Sequence, residues 1–447
     1  MTVLPIRIIV ILSACAALWA YGILNGNDPS GIFGIFSAYA FVYYIVVSAF
    51  IVAIGSVAGV EDKAVRRRRK FKMIATAGSV VLVLLLLELP AVLGIVDYRI
   101  VFSTDRATSS YYNPRLRFDR TLITRRHPHD TYQGRVAGDL VHRLNIDTDR
   151  RYDVLVRWDQ NGFRNASDMT RAEVVVIGDS FVEAALVPFE QIASSVLASE
   201  LELPVMNLGN GGYGLQEELA VLERFGLPAR PKVVVWMFYE GNDLRNYHEY
   251  RSVMADWDGW VSQQRSYPVR SFLPNALEAA ARLTRPENTD RSFAIRRAGV
   301  LQHPSKLQGQ TMYFGYQCPP LTRADRSALL GFTNILRKAK RACGAQEAKL
   351  LLAFAPNKWR VHCKSITPGP GSELDQWTTN DLPAHLGRIA RIEGVDFLDL
   401  TLALRTASAS GDVTYHLDDA HWSASGNRSV AIAIAGLLRA NGWVENP

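Results

Sequence analysis

The chain has 447 residues, which is long for a single ordinary domain, and 48% of them are hydrophobic. Its formal net charge is +7, but residues 61–72 alone contribute +5, with seven basic residues against two acidic ones. The remainder is close to neutral, so its charge gives no reason to expect a nucleic-acid partner.

Three long apolar stretches lead the sequence, at about Ile6–Leu24, Ile32–Val60 and Met73–Val96. Each reaches the roughly 20 residues that cross a bilayer as a helix, and their few charges leave no polar face for water. We therefore predict a three-helix transmembrane anchor over residues 1–97. Glu88 lies in the outer half of the third stretch, beside Pro90. It is either a functional acid within the membrane or, as we favour, a neutral glutamate that seeks the membrane interface.

The basic segment between the second and third stretches predicts the orientation of the anchor. Positively charged loops stay in the cytoplasm, so the chain after Val96 is expected outside it. This predicts a multi-pass protein of the cell's inner membrane with a periplasmic or otherwise extracytoplasmic domain. The lipid bilayer is accordingly one expected partner.

Two further regions follow the anchor. Residues 98–170 are polar and rich in arginine, and the alternation in "YDVLVRW" predicts a half-buried strand in a β-rich lead-in segment. From residue 171, five apolar runs alternate with amphipathic helices: "EVVVIGDS", "PVMNLG", "PKVVVWMFY", "AKLLLAFAP" and "DFLDL". This pattern predicts an α/β domain over 171–447, with about five parallel strands covered by helices on both faces.

An insertion at about 246–320, rich in aromatic residues and arginine, interrupts the predicted domain. Such a long insertion is either a lid or binding loop, or a surface-packed excursion with its own small core. The outer region holds an odd number of cysteines, so at least one is expected to stay free, and no disulfide pairing can be assigned. No metal-binding spacing and no GxxxxGK[ST] or GxGxxG motif occurs, so neither a metal nor a cofactor is expected.

Polar residues follow the predicted strands at the edge where parallel strands end. Ser180 follows the first strand in "GDSF", Gly212 the second in "NLGNGGYG", Asn242 the third in "GND", and His421 precedes the last helix. In open parallel sheets this edge binds ligands. A serine becomes a nucleophile when a histidine oriented by a carboxylate takes its proton. N–H groups and an asparagine amide can then stabilise the oxyanion.

These four blocks resemble the SGNH/GDSL hydrolase superfamily, which has a flavodoxin-like α/β/α domain. The resemblance implies that Ser180 is the nucleophile, that His421 is its base, and that Gly212, Asn242 and the Ser180 N–H form the oxyanion hole. "DAHW" followed by "GN", and "FAPNKWRVH" after the fourth strand, are similar to the membrane-anchored, alginate O-acetyltransferase-like branch. That branch handles acetyl groups, so the resemblance implies a small acyl group.

The two consecutive acids before His421 leave the third member of the triad open. Asp418 fits the commoner spacing of the superfamily, whereas Asp419 fits the "DxHW" branch, which Trp422 favours. Lys358 and Arg360, after the fourth strand, are either contacts for an anionic substrate or ordinary solvated charges.

Three functions are compatible with these residues. The first is a membrane-anchored serine esterase or deacetylase that acts outside the cytoplasm on small acyl esters, such as acetylated cell-surface glycans. The second is an O-acetyltransferase that uses the same triad on a cell-surface glycan, with a membrane partner protein supplying acyl groups. The third is a non-catalytic glycan-binding or assembly component, which the complete set of site residues disfavours.

Overall fold

A computed structural model describes residues 3–25, 33, 36–57, 60–102, 116–284, 291–302, 305 and 307–445. The chain divides into two compact units, one of residues 1–104 with 258–289 and one of residues 105–257 with 290–447. This division differs from the boundaries expected at 97 and 170. Residues 258–289, expected within the hydrolase domain, group instead with the apolar helices.

The elements alternate along the chain as follows. The helices are α1 (Val3–Asn25), α2 (Ala38–Val57), α3 (Lys63–Val92), α4 (Tyr98–Val101), α5 (Asp139–Leu144), α6 (Ser180–Glu183), α7 (Ala193–Leu201), α8 (Leu215–Val221), α9 (Asp243–Ala255), α10 (Trp257–Gln264), α11 (Tyr267–Arg270), α12 (Phe272–Thr284), α13 (Ser292–Arg296), α14 (Arg323–Gly344), α15 (Lys358–His362), α16 (Leu382–Glu393), α17 (Thr401–Ala409) and α18 (Ala424–Ala440). The strands are β1 (Arg117–Asp119), β2 (Ile123–Arg125), β3 (Thr131–Val136), β4 (Tyr152–Arg157), β5 (Val174–Gly178), β6 (Val205–Gly209), β7 (Val233–Tyr239), β8 (Ala298–Leu301), β9 (Thr311–Tyr313), β10 (Lys349–Ala355), β11 (Ile366–Pro368) and β12 (Asp396–Asp399).

The first unit contains three helices that are long and apolar enough to cross a membrane. The qualifying segments are Ile8–Asn25, Ala40–Val57 and Lys63–Val92, in agreement with the three candidate spans predicted from the sequence. Their side chains are mostly exposed, as expected of helices whose surroundings are lipid rather than protein.

The basic segment predicted as a loop is largely helical. Asp62 caps α3 by accepting hydrogen bonds from the N–H groups of Ala64 (2.7 Å) and Val65 (3.3 Å), so the helix begins at Lys63. Arginine and lysine are good helix formers, and the following run of them continues the helix rather than breaking it.

The second unit is built on a five-stranded sheet in the order β12-β10-β7-β5-β6, with every neighbouring pair parallel. All residues of β5, β6 and β7 are buried, as expected of strands covered on both faces. The predicted flavodoxin-like α/β/α class and the five predicted strands are thus confirmed.

Helices cover both faces of this sheet and create two apolar cores. On one face, Phe332 and Leu336 of α14 and Leu386 of α16 pack against inward residues of β7 and β10. On the other, Leu197 of α7 and Ile434 of α18 pack against the alternate residues of the same strands. The helices therefore cover both faces of the sheet, and the loops that follow the strands lie at its carboxyl edge.

The lead-in segment contributes two small antiparallel sheets, β1-β2 and β3-β4. Along β4, alternate residues are buried, which is the pattern read from "YDVLVRW". Val136, Val154, Val156 and Trp158 form a small core that also includes Ala185, just after α6. The segment therefore packs beside the turn that carries Ser180.

The remainder of the insertion, after residue 290, has a core of its own. Strands β8 and β9 join β11 in a three-stranded antiparallel sheet, and Leu301, Met312 and Phe314 pack with Trp359. All four cysteines of the chain are free thiols in the structure.

Candidate active site

Ser180 lies at the carboxyl end of β5, as the first residue of the short helix α6. Asp179 caps this helix, because its Oδ1 accepts a hydrogen bond from the Phe181 N–H at 2.9 Å. A Cβ at Gly178 would lie 2.6 Å from the Val182 side chain, so the strand can turn into α6 this tightly only with glycine there. The turn thus presents the serine above the sheet, and Asp179 stabilises the turn.

The structure brings Ser180, His421 and Asp419 into one hydrogen-bonded row. His421 Nε2 lies 2.7 Å from Ser180 Oγ, and His421 Nδ1 lies 2.7 Å from Asp419 Oδ1. The same Asp419 oxygen also accepts the His421 backbone N–H at 2.8 Å, which fixes the ring's position. A carboxylate on Nδ1 keeps the proton there and leaves Nε2 free to accept the serine proton.

The charges in this row favour His421 as the base that takes the serine proton. Burial alone would lower the pKa of His421, but the charge and hydrogen bond of Asp419 outweigh it and raise that pKa to about 9. Burial opposes ionisation of Asp419, yet the histidine beside it holds the pKa of that carboxyl well below its usual range. The Asp419 carboxylate therefore stabilises the imidazolium that forms when His421 takes the serine proton.

Asp418 points away from His421, so the structure does not support it as the triad acid. Its Oδ1 accepts a hydrogen bond from the Tyr152 hydroxyl of β4, and Arg150 lies 3.9 Å away. The two acids lie in a bend and have different partners, Asp419 the His421 ring and Asp418 the Tyr152 hydroxyl. Asp418 instead ties the lead-in sheet to the turn before α18.

A second acid, Asp139, adjoins the triad from the lead-in segment and has no counterpart in the sequence-based prediction. Its N–H donates to Asp419 Oδ2 and its Oδ1 accepts from the Ala420 N–H, both at 2.7 Å. Burial, followed by the nearby Asp419 charge, raises the pKa of Asp139 to about 7. This reciprocal contact locks the 138–140 turn onto the triad turn, although about 280 residues separate them in sequence.

The two other residues assigned to the oxyanion hole lie on the same edge. Gly212 has φ +88°, a conformation that glycine adopts readily, and its N–H has no hydrogen-bond acceptor among the described residues. The Asn242 amide lies beside the Asp179 carboxylate and favours its ionised form, against the larger effect of burial, which raises the pKa of Asp179. Both groups are therefore placed at the strand ends around Ser180.

A buried ionic network holds the glycine turn that precedes Gly212. Glu183 is fully buried and accepts hydrogen bonds from the Gly211 N–H at 2.7 Å and from Trp158 Nε1 at 3.0 Å. Burial would raise the pKa of Glu183, but the Arg126 guanidinium and these donors outweigh it and lower the pKa. Glu183 follows Ser180 by one helical turn, which is the one signal in the sequence that could have suggested it.

Lys358 and Arg360 are both buried, so the interpretation of them as ordinary solvated charges is wrong, and their contact with an anionic substrate stays a prediction. Arg360 is buried and its Nε lies 2.9 Å from both carboxylate oxygens of Glu240, at the end of β7. Lys358 is also buried and donates to the Tyr313 carbonyl at 2.9 Å. Burial lowers the pKa of Lys358 to about 8, against the pull of the acids around Asp419. Arg360 thus supports the end of β7, and Lys358 is held by a carbonyl at the end of β9.

Among the described residues, Asp139, Asp419 and His421 bring ligand-type atoms within 4.8 Å of one another. Each of these side chains is already engaged: both Asp419 oxygens and Asp139 Oδ1 accept N–H bonds, and His421 bridges to Ser180. Their geometry is that of a Ser–His–Asp row with a neighbouring acid.

One known protein family matches the part of the chain that carries the acid and the base of this row. The family model described as the SGNH hydrolase-like domain of acetyltransferase AlgX matches residues 321–446, which include Asp419 and His421. This part of the chain is therefore similar to SGNH hydrolase-like domains of the AlgX type. This similarity and the geometry of the row indicate an ester hydrolase or an acyltransferase. Ser180 precedes the matched residues and is joined to them by the sheet.

No curated protein matches the chain in sequence. Three solved structures resemble it at low levels. A putative lipolytic protein of the G-D-S-L family from Desulfitobacterium hafniense DCB-2 is 13% identical, covering 59% of this chain and 98% of its own, with a TM-score of 0.32. A lipase/acylhydrolase from Enterococcus faecalis is 13% identical, covering 61% of this chain and 97% of its own, with a TM-score of 0.32. An acetylxylan esterase from Geobacillus stearothermophilus, solved as a catalytic mutant, is 14% identical, covering 63% of this chain and 99% of its own, with a TM-score of 0.31.

Proposed function

We propose that the protein is a membrane-anchored serine esterase that removes small acyl groups, most simply acetyl, from cell-surface glycans outside the cytoplasm. The observation that carries the proposal is the row Ser180–His421–Asp419, with both heavy-atom distances at 2.7 Å. An intact, correctly oriented triad at the carboxyl edge of an SGNH-type sheet also speaks against a purely glycan-binding or assembly role.

The geometry supports a two-step reaction. His421 Nε2 takes the proton of Ser180 as its Oγ bonds to the ester carbonyl carbon, and the resulting oxyanion is met by the N–H groups of Ser180 and Gly212. When the ester C–O bond breaks, the leaving alkoxide receives that proton from His421. Water then repeats the sequence on the acyl-enzyme and releases the free acid.

O-acetyl transfer to a glycan is the second candidate, and the matched family description, that of an acetyltransferase, favours it. A sugar hydroxyl would replace water in the second step, with every residue in the same role. Outside the cytoplasm the donor would be an oxygen ester rather than a coenzyme A thioester. Three spans are few for carrying acyl groups across a bilayer, so a transferase would depend on a membrane partner for its donor.

Product analysis distinguishes the two reactions. The purified full chain is given an acetyl ester donor with and without an acylatable glycan, and free acetate and acetylated glycan are both measured. An esterase releases acetate at a rate that the glycan does not change. A transferase diverts acetyl groups to the glycan in proportion to its concentration. Failure of Ser180→Ala to abolish either product would remove the triad from the reaction.

A further inference from the structure

The acid within the third candidate span has a defined partner. Both carboxylate oxygens of Glu88 accept backbone N–H groups, Oε2 from Phe272 at 2.9 Å and Oε1 from Leu273 at 2.8 Å. These N–H groups belong to the first turn of α12, where a helix has unsatisfied donors and a partial positive charge. Glu88 therefore caps α12, which begins 184 residues later in the sequence, within the insertion predicted at about 246–320.

Further contacts join the same two stretches. Arg270 Nε donates to the Ala91 carbonyl at 2.8 Å, at the end of α3. The Phe272 ring packs edge-on against Tyr98 at 5.1 Å between centroids and against Phe102 at 5.7 Å. The outer end of α3 and the residues after it thus form a seat for α11 and α12.

The depth of this seat follows from the helix geometry. Glu88 lies four residues before the end of α3 at Val92, a distance of about 6 Å along the helix axis. A span of about 20 apolar residues that starts after Lys72 ends near Val92, so Glu88 falls at the outer boundary of the hydrocarbon region. A carboxylate there is costly without hydrogen bonds, and α12 supplies two of them.

The surface of α11 and α12 suits the same depth. The α12 sequence, "FLPNALEAAARLT", is apolar except for a few polar residues at helical spacing that include Asn275 and Glu278. Leu273 remains 36% exposed, so an apolar side chain of α12 faces outward. The Tyr267 side chain, 40% exposed, hydrogen-bonds to Glu88. Aromatic residues and amphipathic helices of this kind concentrate at the membrane–water interface.

We propose that residues 267–284 form an interfacial membrane anchor whose partner is the lipid of the outer leaflet. Glu88 holds the start of the anchor at the headgroup–acyl boundary, and its outward apolar side chains are covered by lipid. The chain passes between the anchor unit and the catalytic unit at three points, after residues 104, 257 and 289. The catalytic unit is then tethered to the membrane at all three points rather than only by the segment that follows the N-terminal spans.

Depth-resolved fluorescence quenching tests the lipid contact. Leu273→Cys is made in a background with Cys15 and Cys363 replaced by serine, labelled with an environment-sensitive fluorophore, and placed in lipid nanodiscs as the full chain. Leu402→Cys is the matched control, since Leu402 is a leucine 74% exposed in the catalytic unit. We expect lipids with a spin label near the headgroup to quench the probe at position 273 at least about threefold more strongly than at 402, and aqueous iodide to do the reverse.

Two results would overturn the proposal. Equal iodide quenching at both positions, without quenching by spin-labelled lipid, would place α12 in water. Protection of the probe at 273 from both quenchers would mean that protein rather than lipid covers it.

Hydrogen exchange tests the role of Glu88 separately. Glu88→Ala should speed exchange of the Phe272 and Leu273 amides at least about tenfold, because both lose a charged acceptor. Glu88→Gln, which keeps one acceptor oxygen, should fall between. Glu61→Ala removes an exposed acid just before α3 and should change nothing. Esterase turnover on a small soluble ester should be unaffected in all three, and unchanged exchange in Glu88→Ala would refute the cap.

Discussion

At the residue scale, the decisive feature is the division of labour between two neighbouring acids. Asp419 contacts His421 Nδ1 at 2.7 Å, whereas Asp418 accepts from the Tyr152 hydroxyl. Spacing alone left this assignment open, because the direction of each side chain depends on the conformation of the turn. The lead-in segment, which pairs with both acids, sets that conformation.

Substitution by asparagine should separate the two acids. Asp419→Asn is expected to lower kcat by about 10⁴-fold, because an amide holds the imidazole in the wrong tautomer. Asp418→Asn should leave kcat within about threefold but lower the free energy of unfolding by about 1–3 kcal/mol, since Tyr152 loses a charged acceptor. Steady-state esterase kinetics and denaturant unfolding measure the two effects, and the reverse ranking in kcat would transfer the triad role to Asp418.

The pH dependence of activity should report on Asp139. His421 acts as a base only when neutral, and its pKa of about 9 means that kcat/KM rises as pH increases toward that value. The Asp139 carboxylate is one of the charges that raise this pKa, so its removal lowers the pKa. In Asp139→Asn, whose amide oxygen can still accept the Ala420 N–H, the acidic limb of the kcat/KM profile should therefore move to lower pH. An unshifted limb would show that Asp139 only supports the turn.

The sequence could not reveal Asp139 as part of the site. It lies in an unremarkable "AGDL", and its contact with the Ala420 N–H depends on tertiary packing. Lys358 and Arg360 illustrate the converse, because their charges suggested exposure while the fold buries both. Residue type and order predict the nucleophile and base, but not which charges the fold uses for support.

At the element scale, the strands and their polar ends were predictable from sequence because each strand is a short apolar run closed by glycine or a polar residue. The five strands of the sheet follow from hydropathy and from the alternating helices. The start of α3 at Lys63 was not predicted, since a basic run between apolar stretches reads as a loop until its cap, Asp62, is seen.

The glycine turn after β6 should depend on Glu183. Glu183→Ala leaves the Gly211 N–H without its acceptor and should lower kcat by about 10²-fold with little change in KM, because the turn carries an oxyanion donor used in the transition state. Glu183→Gln, which retains an acceptor oxygen, should recover most of that loss. Thermal unfolding of both variants provides the control for general destabilisation. Parallel losses in KM and kcat, without recovery by glutamine, would argue against a positioning role.

At the scale of the whole molecule, the sequence predicted an anchor and a hydrolase domain but not the membership of residues 258–289. These residues group with the apolar helices through contacts such as the Glu88 cap, which only the fold brings together. Aromatic composition marked the insertion as unusual, and composition alone cannot say which surface it meets.

The orientation in the membrane remains a prediction from charge. The basic residues from Lys63 to Lys72 should lie in the cytoplasm and the chain after residue 98 outside it. A cysteine introduced in place of Arg151 should react with a membrane-impermeant reagent in cells whose inner membrane is intact. Labelling only after that membrane is permeabilised would reverse the predicted topology.

The central claim is that Ser180 is an acylated nucleophile. An activated acetyl ester should give a burst of leaving group if deacylation is slow, and intact-mass analysis of the rapidly quenched full chain should show one added acetyl group. Ser180→Ala should show neither the burst nor the added mass. If the folded wild-type protein never acquires that mass, and Ser180→Ala keeps the same esterase rate, then nucleophilic catalysis at this serine is wrong.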